Sequence, residues 1–136
     1  MKTIAIAYVV TLAAFALLDF FWLSRMADVL YRPAMGDMAA ANFRPVPAVL
    51  FYLLFCAGLV YFAVRPALGA GDWSMAFVQG AALGLIAYAT YDLTNQATLK
   101  NWSTTLSIAD MSWGTVLSGV AATAGYFVTQ MIARTL

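Results

Sequence analysis

The chain has no histidine and no glutamate, one cysteine, and only 10% charged residues among 136. Each shortage excludes something. Without histidine there is no ordinary zinc or haem ligand and no base that titrates near neutrality. A lone Cys56 cannot form an intrachain disulfide and reads as a small buried hydrophobe. Soluble domains carry roughly 25% charged residues, so a chain that is 64% apolar with mean hydropathy +0.84 has a membrane-protein composition. A net charge of +1 with no basic tract gives no sign of a nucleic-acid partner.

What is present is a set of long apolar runs. A helix needs about 20 residues to cross the hydrocarbon core, and four stretches meet that length: 3–23, 45–64, 73–98 and 107–133. The second opens on Pro45-Val-Pro47, and proline is tolerated in a first helical turn. Lys2 followed by Ile4–Leu18 has the pattern of a signal peptide, but no soluble domain follows it and three spans would remain. The expected fold is therefore all-α, one domain over 1–136, a four-transmembrane-helix antiparallel bundle. Short second and third connections, Arg65–Asp72 and Lys100–Thr105, make sequential helices antiparallel neighbours. The first connection, Ser24–Arg44, is long. Its bland reading is an interfacial segment with a short amphipathic helix; its sharper reading is a lid over a pocket.

All six acidic residues are aspartates, and Asp19, Asp92 and Asp110 lie in or at the ends of these runs. Charge at membrane depth is expensive and marks a functional-site hypothesis. Antiparallel threading puts all three near one end of the bundle. We call this side B; side A holds both termini. Trp22 and Trp113 repeat a spacing, Asp19-x-x-Trp22 and Asp110-x-x-Trp113, that sets carboxylate and indole on one helical face. Tyr88, Tyr91, Asp92, Asn95 and Thr98 form one polar stripe on the third helix. Gly80 and Gly84 continue that face toward side A, and small residues of this kind let membrane helices approach closely. Asp19 also has a plainer reading, as a structural carboxylate paired with Arg25 or Lys100. Trp73 and Trp102 read as interfacial belt residues.

The run Tyr91-Asp92-Leu-Thr-Asn95-Gln-Ala-Thr98-Leu-Lys100-Asn-Trp102, followed by Asp110-x-x-Trp113-Gly114, resembles the signature of a family of small bacterial predicted membrane proteins, domain of unknown function 2177. The resemblance covers essentially the whole chain. It implies four spans, no established activity, and an association with bacterial gene neighbourhoods for membrane-lipid modification and photo-oxidative stress. On that match Asp92, Asn95, Thr98, Lys100, Asp110 and Trp113 carry over as the site.

The expected function is a one-sided pocket for an amphiphilic, membrane-lipid ligand. Its polar end would rest against Asp92, Asn95 and Lys100, and its tail among Trp22, Trp113 and Tyr91. Whether any reaction occurs is open. Clustered carboxylates can hold Mg²⁺ or Ca²⁺; Lys100 and the arginines, as neutralising partners, argue against a metal, and no cofactor is expected. Two other readings stand: an accessory or assembly subunit without a ligand, and a small transporter acting as a homo-oligomer, a dimer. Three basic residues on side A (Lys2, Arg65, Arg134) against four on side B (Arg25, Arg32, Arg44, Lys100) specify orientation poorly. Lys2 and the amino terminus favour cytoplasmic termini in a bacterial inner membrane.

Overall fold

A computed structural model describes all residues 1–136. Four helical stretches, α1 (Lys2–Met38, its last three residues a 3-10 turn set off by Gly36 at φ 57°), α2 (Pro45–Ala70), α3 (Trp73–Thr98) and α4 (Thr104–Ala133), are each long and apolar enough to cross a membrane. Large apolar side chains such as Leu17, Phe20, Leu54, Ile86 and Met131 are exposed on the outside of the bundle. A helix that is apolar all round suits burial on every face, here against neighbours and lipid.

Local chemistry sets the helix starts. Arg44 is extended and Pro45 and Pro47 open α2, where the missing proline N–H costs nothing. Asp72 caps α3, accepting from the Ser74 N–H at 2.9 Å and the Ser74 hydroxyl at 2.6 Å. Those two bonds, the hydroxyl's first, hold its carboxyl below the usual range. Ser103 caps α4 by accepting from Leu106 N–H at 3.2 Å.

Two helices run further than the sequence suggests, for one reason. Pro33 and Pro66 each lack an N–H and would clash with the carbonyl four residues earlier. In both cases that carbonyl lies inside a π-turn, Ala27–Tyr31 before Pro33 and Val60–Val64 before Pro66. The wider turn absorbs the proline without ending the helix. Helix therefore runs past the expected span ends at 23 and 64, to Met35 and Ala70, and takes up more than half of the Ser24–Arg44 connection. The fourth span starts at Thr104 rather than 107. About 20 residues suffice to cross the core, so the last turns of α1 lie past the span, folded against side B.

The helices form a ring in chain order, closed by α1 against α4. The tightest seam is α3 on α4. A Cβ on Gly84 would run into the Ser118 side chain and the Gly114 carbonyl, and one on Gly80 would meet Ala122 Cβ at 2.7 Å. On α4, the space beside Gly114 is filled by the Tyr88 ring. Close packing at one end of the seam therefore seats an aromatic ring at the other. The interior toward side A is mainly apolar, with Phe15, Leu59 and Leu117 in one cluster and Val64, Ala122 and Tyr126 in the next, and its buried polar groups are the hydroxyls of Thr11, Ser118 and Thr129.

Candidate functional site

On side B the two Asp-x-x-Trp motifs interlock across helices. Trp113 of α4 donates its indole N–H to Asp19 Oδ1 of α1 at 3.0 Å. Trp22 of α1 donates to the Tyr31 hydroxyl at 2.9 Å, and that hydroxyl donates to Asp110 Oδ1 of α4 at 2.5 Å. The two indoles stack with centroids 4.5 Å apart and planes 7° off parallel. The same i, i+3 spacing on two antiparallel helices lets each carboxylate take its donor from the other helix, directly for Asp19 and through Tyr31 for Asp110. Tyr31 stands at the end of the first π-turn, a local irregularity of a kind often found at functional sites.

Asp19 has a second donor, the Tyr52 hydroxyl of α2. No basic side chain touches it: the one ion pair in the chain is Arg32 with Asp28, 3.2 Å apart and exposed. The plainer reading of Asp19, paired with Arg25 or Lys100, is corrected on this point. Its partners are aromatic N–H and O–H groups, which satisfy a carboxylate without neutralising it. The expectation that Lys100 and the arginines neutralise the cluster is corrected for the same reason. No three carboxylates converge as a metal-ligand set.

Asp92 is fully buried, and neither of its carboxylate oxygens accepts a hydrogen bond. Ser107, which accepts from the Trp102 indole at 2.9 Å, packs over the Asp92 backbone carbonyl at 3.5 Å.

A cleft of about 580 Å³ reaches this network from outside. Its walls are Pro47, Phe51 and Tyr52 of α2 and Ala87, Tyr88 and Tyr91 of α3, with Asp19 and Asp110 at its inner end. It exists because α2 packs on α3 mainly through its later half. The earlier half stands off, bridged by ring contacts of Tyr88 with Phe51 and Phe55, both at 6.4 Å between centroids. Phe51 and Tyr91 are 40% and 52% exposed, so the mouth faces outward from the bundle.

The sequence-derived candidates separate against this geometry. Asp19, Asp110, Tyr88 and Tyr91 line the cleft; Trp22 and Trp113 brace its inner end without lining it; Asp92 is buried beside Asp110. Asn95 is half-buried, and Thr98 and Lys100 are exposed beyond the cleft, with Thr98 bonded back to the Thr94 carbonyl at 2.9 Å. Asp92, Asn95 and Lys100, the residues expected to meet a polar group, do not line this cleft; the carboxylates reachable from it are Asp19 and Asp110. Tyr31, Tyr52, Phe51 and Pro47 were not among the candidates. Only Tyr31, an aromatic in a long charged connection, carried any signal.

Tyr31→Phe should cut the relay to Asp110 and leave the Trp22 indole without its acceptor. We expect a loss of about 1 kcal/mol and a weakened near-ultraviolet signal from the Trp22–Trp113 stack. An unchanged spectrum would mean that the stack does not depend on Tyr31.

Four bilayer-length helices with buried carboxylates at one end define an integral membrane protein of the small four-helix kind. The chain matches the family described as "Predicted membrane protein (DUF2177)" over residues 4–127, and it belongs to that family. No curated protein and no solved structure matches it.

Proposed function

We infer that the cleft between α2 and α3 binds an amphiphilic, lipid-like molecule that enters sideways from the bilayer. One observation carries this reading. Two carboxylates stand at the inner end of an otherwise apolar and aromatic cleft whose mouth faces outward, where acyl chains would lie. Its volume falls within the roughly 300–1,000 Å³ typical of ligand sites, which combine apolar walls with a few placed polar groups. An acyl chain would run along Phe51, Ala87 and Tyr91, and the polar end would reach Asp19 and Asp110. The interior toward side A has buried hydroxyls but no buried charged group, which favours a one-sided pocket over a charged path through the membrane. With cytoplasmic termini in a bacterial inner membrane, as Lys2 and the amino terminus favour, the cleft opens to the periplasmic leaflet. A link to membrane-lipid modification would fit such a site.

The test is to fill the cleft. Ala87→Trp adds an indole to a wall residue that is already half-buried. In native mass spectrometry of protein gently extracted from membranes, the wild type should retain a lipid adduct and Ala87→Trp should lose most of it. Equal retention by both proteins would refute the cleft as the binding site.

A further inference from the structure

Two carboxylates, Asp19 and Asp110, line the cleft with no basic side chain on its walls. Asp92, wholly buried, lies off the cleft and adds no charge to it. The basic residues are engaged or placed elsewhere. Arg32 pairs with Asp28, Arg25 lies over the Phe21 ring, Arg65 lies over the Tyr61 ring near side A, and Lys100 is exposed. Uncompensated charge in a low-dielectric setting is costly unless an opposite charge pairs with it. The remaining wall supplies aromatic faces from Phe51, Tyr88 and Tyr91, and such faces attract organic cations.

We propose that the occupant is a lipid whose headgroup carries an ammonium, seated between Asp19 and Asp110 at the inner end of the cleft. The proposal rests on the amphiphile reading above and names the chemistry that the site selects. A purely anionic headgroup would set its phosphate against two carboxylates with no lysine or arginine on the lining, a like-charge contact that disfavours the wrong ligand. In a zwitterionic lipid the phosphate lies outward of the ammonium.

The experiment uses the full chain reconstituted in vesicles of equal parts phosphatidylethanolamine and phosphatidylglycerol, extracted gently, with bound lipid identified by mass spectrometry. Wild-type protein should carry the ethanolamine lipid enriched roughly tenfold, the scale of discrimination that one well-placed charge interaction provides. Asp19→Asn combined with Asp110→Asn should return the ratio to that of the vesicle. A wild-type ratio equal to the vesicle's overturns the ammonium assignment, and this arm needs no variant to fold. If both lipids bind alike and Ala87→Trp displaces both, the cleft reading stands and only the ammonium assignment falls. If Ala87→Trp displaces neither, the cleft reading falls with it.

Discussion

Gly84→Ala is expected to cost about 3 kcal/mol of stability, at the upper end of the usual range for overpacking. The added methyl has nowhere to go. Its position already meets the Ser118 side chain and the Gly114 backbone carbonyl, and the carbonyl cannot rotate away as a flexible side chain could. Relief requires α3 and α4 to separate, and separation would also loosen the Tyr88 ring from its seat on Gly114. Gly58→Ala is the matched control. Its new methyl would find only Leu83 Cδ2, at 3.7 Å, an ordinary contact. Helix propensity alone favours alanine over glycine by about 1 kcal/mol, so Gly58→Ala should be neutral or stabilising. Reversible unfolding in mixed micelles measures both. Equal effects at the two positions would show that the α3–α4 seam is not the tight contact described.

The second large effect is at Asp19. Asp19→Ala removes the shared acceptor of Trp113 and Tyr52, two donors that arrive from different helices. In a soluble protein, two orphaned buried donors would cost about 2–6 kcal/mol. Unfolded helices in a membrane still find partners, and interhelical hydrogen bonds there average about 0.6 kcal/mol with a maximum near 1.7. A loss of about 3 kcal/mol follows from two bonds near that maximum, because the acceptor is a carboxylate. Asp19→Asn keeps one acceptor oxygen and should lose about half as much. The wild-type indole stack at 4.5 Å also gives a local reporter, and its near-ultraviolet signal should fall in Asp19→Ala. A stability loss below about 0.5 kcal/mol, within the range of ordinary surface changes, would deny Asp19 its role as the junction of α1, α2 and α4.

How much of this was legible in the sequence depends on where a residue's partner sits. The four spans were legible because length and apolarity are properties of one segment. The gathering of Asp19, Asp92 and Asp110 on side B was legible because antiparallel threading fixes which ends meet. Gly80 and Gly84 marked the tight seam through their spacing. The Asp-x-x-Trp repeats located the right side chains but not their pairing. A spacing reports which residues share a face of one helix, whereas Trp113 donates to Asp19 on another helix. The polar stripe drew Asp92 into the expected pocket for a similar reason. Periodicity cannot say which neighbour covers a stripe, and α4 covers Asp92 while leaving Asp110 on the cleft. Tyr52 and Phe51 were silent, since a helix that is apolar on every side does not announce which face turns inward. Tyr31 lay in a charged connection where a π-turn carries the helix past Pro33, which residue spacing does not announce.

The most direct test of the central claim, a lipid held sideways in the α2–α3 cleft, is to map where a bound lipid touches. A phosphatidylethanolamine with a photoreactive acyl chain, added to detergent-solubilised protein stripped of its lipid annulus, should label peptides at Phe51, Ala87 and Tyr91, and Ala87→Trp should abolish that labelling. Labelling spread over outward residues far from the cleft, such as Leu17, Val78 and Met131, and unchanged by Ala87→Trp, would contradict the account.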